Sequence, residues 1–404
     1  MANMLLVVLV LPLLSSCLAY SGPELLNGRY CAARPDDNKC CYNRKDDCSV
    51  PILGTLCYCD EFCDHTRHHD DCCPDYKKVC SPPQITSVSC EYEQQTYAPD
   101  DQVNKGCNLC TCKVDNDNNA YWSCTQDTCM MSEDLVNDVN QQGTTWRATT
   151  YPEFNEKKLK DGLIYKLGTF PLNVTVISYS KDGQYPDEFD ARREWYGYIS
   201  PIADQGWCGS DWAVSIASIV GDRFSIQSFG TENVRMSSQT LLSCHLKGQR
   251  GCNGGNLDIA FDFVKTHGLV SEQCFPYEGA VTQCRIGNDC RRYRVGVPFS
   301  ISKEEDIMYD IMTSGPALGI MTVYQDFFHY REGIYRHTRH GDQQMRGLHS
   351  VRIVGWGEDA EDKYWIVANS WGTSWGEKGY FRIARGHSGT GIESSVLTVL
   401  PYVS

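Results

Sequence analysis

The sequence predicts a modular chain, with small disulfide-stapled modules first and then one larger domain that has a core of its own. Three observations carry this. The chain has 404 residues, too many for one compact domain. Its 23 cysteines lie mostly before residue 130, in two dense clusters. Hydrophobic residues make up an ordinary 41%, enough for the later part to bury a sizeable core. The net charge of -14 argues against a general nucleic-acid binder. Beyond the first residues, no apolar stretch is long enough to span a bilayer.

Leu5 to Leu14 is almost wholly apolar and too short to cross a membrane. Cys17-Leu18-Ala19 supplies small residues for cleavage before Tyr20, so residues 1–19 read as a secretory signal peptide. Without Cys17 the cysteines number 22, an even set, which in a secreted chain reads as a disulfide framework. No histidine pair stands at finger-like spacing, and no metal or cofactor is expected. Asn173-Val174-Thr175 is a glycosylation sequon suited to that compartment, with Asn173 the acceptor. The expected location is the extracellular space or matrix.

Residues 27–82 form the first module. Cys31, Cys40, Cys41, Cys48, Cys57, Cys59, Cys63, Cys72, Cys73 and Cys80 fall within it. A region so small cannot hold itself together by apolar burial and must be stapled. The run Cys57-Tyr58-Cys59-Asp60-Glu61-Phe62-Cys63, with Cys72-Cys73-Pro74-Asp75-Tyr76 and Cys80, resembles a somatomedin B domain. The eight cysteines from Cys41 onward fit that pattern. Cys31 and Cys40 are extra to it, and a bond between them is the expectation. The resemblance implies a protein-binding module, and a passive spacer is the alternative.

Residues 86–130 form the second. Cys107-Asn108-Leu109-Cys110-Thr111-Cys112, with Cys124 after it, looks like part of a von Willebrand factor type C module. Cys-x-x-Cys-x-Cys also suits a metal, but the segment is acidic and lacks histidine, which favours disulfides. Residues 131–184 lack cysteine. Asp134 to Asn140 and Thr144 to Ala148 resemble the short prosegment of cathepsin B-like proteases, and Asn155 to Leu163 reads as a charged helix or linker.

Residues 185–404 carry the strongest resemblance. Gln205-Gly206-Trp207-Cys208-Gly209-Ser210-Asp211-Trp212-Ala213 is similar to the active-site segment of papain-family cysteine proteases, with Asp211 where those enzymes have their nucleophilic cysteine. Gly347-Leu348-His349-Ser350 is similar to the catalytic histidine segment, and Asn369-Ser370-Trp371-Gly372 to the asparagine segment. The implied fold is an α+β papain-like domain of two lobes, one helical and one β-barrel-like, in the cathepsin B branch. The implied disulfides are Cys208–Cys252 and Cys244–Cys284, which leaves Cys274 and Cys290 for each other. Gly254 and Gly255 resemble the strand that lines the cleft, where glycine admits an extended peptide. The short interval from Cys274 to Arg294 leaves little room for that branch's occluding loop.

Trp212, Ile216, Ile219, Val220 and Phe224 recur at helical spacing, so Asp211 stands at a helix start, where a carboxylate is favoured. By resemblance, His349 is the base, Asn369 orients it and Trp371 shields that bond. Gln205 is the oxyanion donor. Asp211 with His349 keeps the charge pattern of a thiolate–imidazolium pair and loses acyl transfer. Aspartic-type hydrolysis needs a second carboxylate, and no motif supplies one. Trp207 either crowds the cleft or is an exposed loop residue.

The order of modules resembles the tubulointerstitial nephritis antigen family. That resemblance implies a secreted, non-enzymatic basement-membrane glycoprotein, with laminin, collagen IV and integrins as partners. No Arg-Gly-Asp tripeptide is present, so integrin contact by that route is not supported. Two other readings stand beside it. One is a weak hydrolase with His349 activating water. The other is a pseudoprotease that captures inhibitors or peptides.

Overall fold

In the computed structural model the described residues are 28–35, 38–64, 71–81, 88–171, 177–178, 184–338, 346–360, 362–386 and 389–403. They divide into two compact units. One holds the described residues up to Pro99 with Cys112–Tyr121, and the other holds Asp100–Thr111 and everything from Trp122. The signal-like residues 1–19 and the sequon at Asn173 lie outside the described residues. Among the described residues no helix is long and apolar enough to cross a membrane.

The first unit opens with a hairpin of β1 (Ser49–Ile52) and β2 (Thr55–Tyr58). Leu53 and Gly54 both have positive φ at its tip, as a tight hairpin turn requires. One helical turn follows, α1 (Tyr76–Val79). The core is largely sulfur, with seven buried half-cystines around Ile52 and Tyr76. The bonds are Cys31–Cys59, Cys40–Cys80, Cys41–Cys48, Cys57–Cys73 and Cys63–Cys72. Cys31 and Cys40 therefore do not pair with each other, contrary to the expectation. The Asp75 carboxylate accepts the N–H groups of Tyr30, Cys31 and Ala32 at 2.8, 2.9 and 3.1 Å. Those bonds pin the turn at Cys31–Ala33 beside α1, within reach of Cys59. The eight cysteines from Cys41 are thus not a closed set. Strands β3 (Cys90–Tyr92) and β4 (Gln95–Tyr97) complete this unit, tied by Cys90–Cys112.

Next along the chain come β5 (Gln102–Lys105), which pairs with β6 (Asn108–Val114), and then β7 (Ala120–Cys124). Cys107–Cys129 and Cys110–Cys124 staple this part. Helix α2 (Glu133–Gln141) starts at Ser132, whose hydroxyl accepts from Leu135 N–H, with Glu133 and Asp134 in the favourable first turn. Strand β8 (Trp146–Ala148) and helix α3 (Leu159–Tyr165) lead to β9 (Phe189–Asp190) and α4 (Ala191–Glu194).

Two cores follow, one per lobe. Helix α5 (Asp211–Gln227) runs through the first, against α6 (Ser238–Cys244) and α7 (Leu257–Thr266). The five apolar residues that predicted α5 are all buried. The other core lies on a nine-stranded sheet. Its strands are β8, β9, β10 (Phe299–Ile301), β11 (Ala317–Val323), β12 (Tyr330–Tyr335), β13 (Gly347–Asp359), β14 (Asp362–Ala368), β15 (Tyr380–Ala384) and β16 (Val396–Thr398). Along the sheet the order is β10-β16-β11-β13-β14-β15-β12-β8, with β9 on β13. Helix α8 (Glu304–Ser314) lies between β10 and β11 in the chain. Cys208–Cys252, Cys244–Cys284 and Cys274–Cys290 are bonded.

Residues before 185 belong to this sheet's core. Ten of them, from Met130 through Trp146 and Phe154 to Leu167, sit in its hydrophobic cluster. Strand β8 pairs antiparallel with β12 and closes that end of the sheet.

Helix α5 and strand β13 are clamped by a buried ion pair. The Arg352 guanidinium donates to Asp222 at 2.6 Å and to Ser200 O at 2.8 Å, and Asp222 also accepts Ser200 N–H at 2.7 Å. Ser215 Oγ donates to Ser350 O at 2.8 Å, a second tie between the same elements. Breaking a buried pair leaves an uncompensated charge. Arg352→Met is expected to destabilise the protein by about 3–5 kcal/mol, read as a fall in denaturation midpoint by urea titration. A loss under about 1 kcal/mol, the scale of an exposed pair, contradicts the assignment.

Candidate active-site remnant and its occupied cleft

Asp211 begins α5, after Ser210 at the cap position, and is fully buried. The helix field there favours a negative charge. Its Oδ2 accepts from Thr169 Oγ1 at 2.7 Å, from His349 Nδ1 at 3.0 Å and from Ser350 N–H at 3.0 Å. Strand β13 brings His349 to this point, and β14 ends just before Asn369. His349 Nε2 meets Asn369 Oδ1 at 2.8 Å. Both partners of the ring are oxygens that accept hydrogen bonds, the Asp211 carboxylate on one side and the Asn369 amide on the other. Trp371 lies 5.1 Å from the imidazole, ring centre to ring centre, and is fully buried. Three of the residues singled out with Asp211, namely His349, Asn369 and Trp371, are therefore gathered in one place.

Gln205 is also there, but its donor is engaged. Its Nε2 donates to Cys208 O at 2.8 Å, Lys166 O at 3.3 Å and Tyr165 O at 3.4 Å, while its Oε1 accepts from Ser370 Oγ at 2.6 Å. Tyr277 holds the preceding loop, donating to Gln205 O at 2.9 Å and sharing a 2.6 Å bond with Ser210 Oγ. Burial pushes the Tyr277 phenol up to about 12, so it stays a neutral donor.

The chain's own residues 165–170 fill the cleft. Gly255 N–H donates to Gly168 O at 2.8 Å, and Phe170 N–H donates to Gly255 O at 3.1 Å, forming a parallel bridge through Thr169. The Trp371 indole donates to Lys166 O at 3.3 Å. The glycine at 254, expected to admit a peptide, has φ +110, and a Cβ there would lie 2.7 Å from the Phe170 ring. Trp207 settles between its two readings. Phe154 meets it edge-on at 6.1 Å, and the Lys166 ammonium lies 5.1 Å from its ring centre, so it is partly covered by residues of the prosegment-like stretch. Burial holds the Lys166 ammonium below the usual lysine range, while Glu153 and Asp204 pull the other way.

Sequence reasoning missed Thr169, Ser350, Tyr277 and Lys166 as members of this site. Ser350 adjoins His349 in the histidine segment and was open to notice. Nothing in the local pattern around Thr169 marks it as a partner of residue 211.

Comparison with known proteins agrees with this geometry. The pattern for "Papain family cysteine protease" matches residues 185–400, just over half of the chain. The chain belongs to the papain family. It is 36% identical to mouse "Tubulointerstitial nephritis antigen-like", over 92% of this chain and 88% of the relative. Human "Tubulointerstitial nephritis antigen" is 35% identical, over 92% and 87%. Within the papain family the chain thus falls with the tubulointerstitial nephritis antigens. Among solved structures it resembles procathepsin B S9 of Trypanosoma congolense, at TM-score 0.62 and 29% identity over 68% of this chain and 99% of that one. It also resembles procathepsin L2 of the Tenebrio molitor larval midgut, at TM-score 0.56 and 27% identity over 66% and 87%. Both are proforms, and both likenesses cover more of this chain than the family pattern does.

A buried histidine anchors the start of the prosegment-like stretch. Ser132 N–H donates to His329 Nε2 at 3.0 Å, and the ring's Nδ1 lies 3.2 Å from Gln325 O. The ring is therefore neutral, with Nδ1 donating. Burial pushes its pKa down to about 4. The unfolded chain takes up that proton near the ordinary value of about 6.5. Stability from this group is thus intact above about pH 6.5 and falls as the pH drops towards about 4, by about 3 kcal/mol in all. Thermal unfolding at pH 7 and 4.5 is expected to show a lower midpoint at the acid pH. His329→Gln flattens the difference if His329 carries it, and an unchanged difference assigns it to other groups.

Proposed function

We propose that this chain is a secreted, non-catalytic glycoprotein of the extracellular matrix, with a papain-like domain inactivated by aspartate at 211, and that it acts through contacts with matrix or cell-surface proteins. The observation that carries the reading is the buried Asp211–His349 pair. A carboxylate, a far poorer nucleophile towards an amide than a thiolate, replaces the sulfur nucleophile. No second carboxylate is among the hydrogen-bond partners of Asp211 among the described residues, which weighs against aspartic-type water activation. The eleven disulfides suit an oxidising compartment. The names of the relatives support a place beside the nephritis antigens. Laminin, collagen IV and integrins are the partners that this likeness suggests, and the sequon at Asn173 supports glycosylation. The occupied cleft counts against a peptide-capturing role for it.

Purified protein incubated with fluorogenic dipeptide amides is expected to release no fluorophore above buffer, and Asp211→Ala and His349→Ala are expected to change nothing. Cleavage that either variant abolishes overturns the non-catalytic reading. In parallel, immobilised laminin and collagen IV are expected to retain the full chain at physiological salt. Failure of both to do so removes the matrix assignment.

A further inference from the structure

We propose that Asp211 is a latch, in which the carboxylate standing in place of a nucleophile is the acceptor that keeps the chain's own residues 165–170 in the cleft as a permanent part of the fold. Thr169 is 5% exposed and Asp211 not at all. A hydroxyl that donates to a buried carboxylate at 2.7 Å makes a charge-assisted bond, about twice as strong as one between neutral groups. Sulfur accepts hydrogen bonds more weakly than a carboxylate oxygen, so a cysteine at 211 offers Thr169 less. The same oxygen takes His349 and Ser350 N–H, which joins α5, β13 and the strap at one atom.

The backbone around Thr169 fits this role. A Cβ on Gly168 would lie 1.9 Å from Gly209 O and 2.6 Å from Asp211 Oδ1, so the strap comes this close only because residue 168 is glycine. On either side, Gly255 and Gln205 hold the strap by the hydrogen bonds already described. Among the described residues Asp211 Oδ1 has no hydrogen-bond partner of its own, and it faces Gly168. One carboxylate oxygen thus carries the latch, and the other sets the limit of approach.

The latch stands apart from the question of catalysis, and its test uses a different measurement. Hydrogen exchange on the full-length protein is followed by mass spectrometry for peptides spanning residues 165–170 and, as an internal control, β14 and β15. Thr169→Val keeps the shape and removes the donor. It is expected to speed exchange in the strap by about tenfold to a hundredfold, the range for a lost bond to a charged group, with the control strands unchanged. Thr169→Ser restores the hydroxyl and is expected to return the wild-type rate within about threefold. A cystatin-type inhibitor protein, used as a cleft probe, is expected to bind the valine variant more tightly than wild type. The proposal is overturned if Thr169→Val leaves strap exchange at the wild-type rate, if Thr169→Ser behaves as valine does, or if wild type binds the probe as tightly as the valine variant does. Peptide cleavage by wild type would sink the non-catalytic reading and leave the exchange result standing.

Discussion

The placement of everything in the cleft depends on the buried clamp between Asp222 on α5 and Arg352 on β13. It joins the two elements that carry Asp211 and His349, with Ser215 and Ser350 repeating the tie nearer the site. Apolar burial also joins helix and sheet, since Leu318 and Ile320 of β11 and Leu397 of β16 pack in the core around α5. A directional charge pair sets both distance and angle, which apolar burial does not. With α5 and β13 so fixed, the carboxylate meets the imidazole at 3.0 Å.

At the site itself, the carboxylate at the helix start and the Asn369 amide hold the two ring nitrogens of His349 between them. One oxygen of the anion, Oδ2, accepts from a hydroxyl, a ring N–H and a backbone N–H. Such satisfaction is what makes a buried charge tolerable. It also explains why the segment before the domain is seated as it is, since its threonine supplies one of the three donors.

Much of this was legible in the sequence. The spacing of Trp212, Ile216, Ile219, Val220 and Phe224 gave α5 and put Asp211 at its start, because helical periodicity is local. The motifs around His349, Asn369 and Trp371 gave the remaining members by resemblance. The rest depended on contacts that no local pattern encodes. Thr169 meets Asp211 across 42 residues, and Ser132 meets His329 across 197. Cysteine pairing failed for a related reason. Spacing leaves the partners of Cys31 and Cys40 open, and the choice was made by Asp75, 44 residues from Cys31, through its grip on the turn.

The core shared between the stretch before residue 185 and the sheet has a consequence for any shortened form of the chain. Tyr151 hydroxyl bonds Tyr330 O at 2.6 Å, the Trp146 indole bonds Arg336 O at 3.1 Å, and β8 covers the outer edge of β12. A fragment cut to begin at Tyr185 would bare a strand edge together with the aromatic rings of Phe328, Tyr330 and Trp375, a combination that invites intermolecular pairing. Residues from Met130 to Leu167 and the sheet are thus packed as one core, and the papain-like homology that starts at residue 185 marks a likeness in sequence.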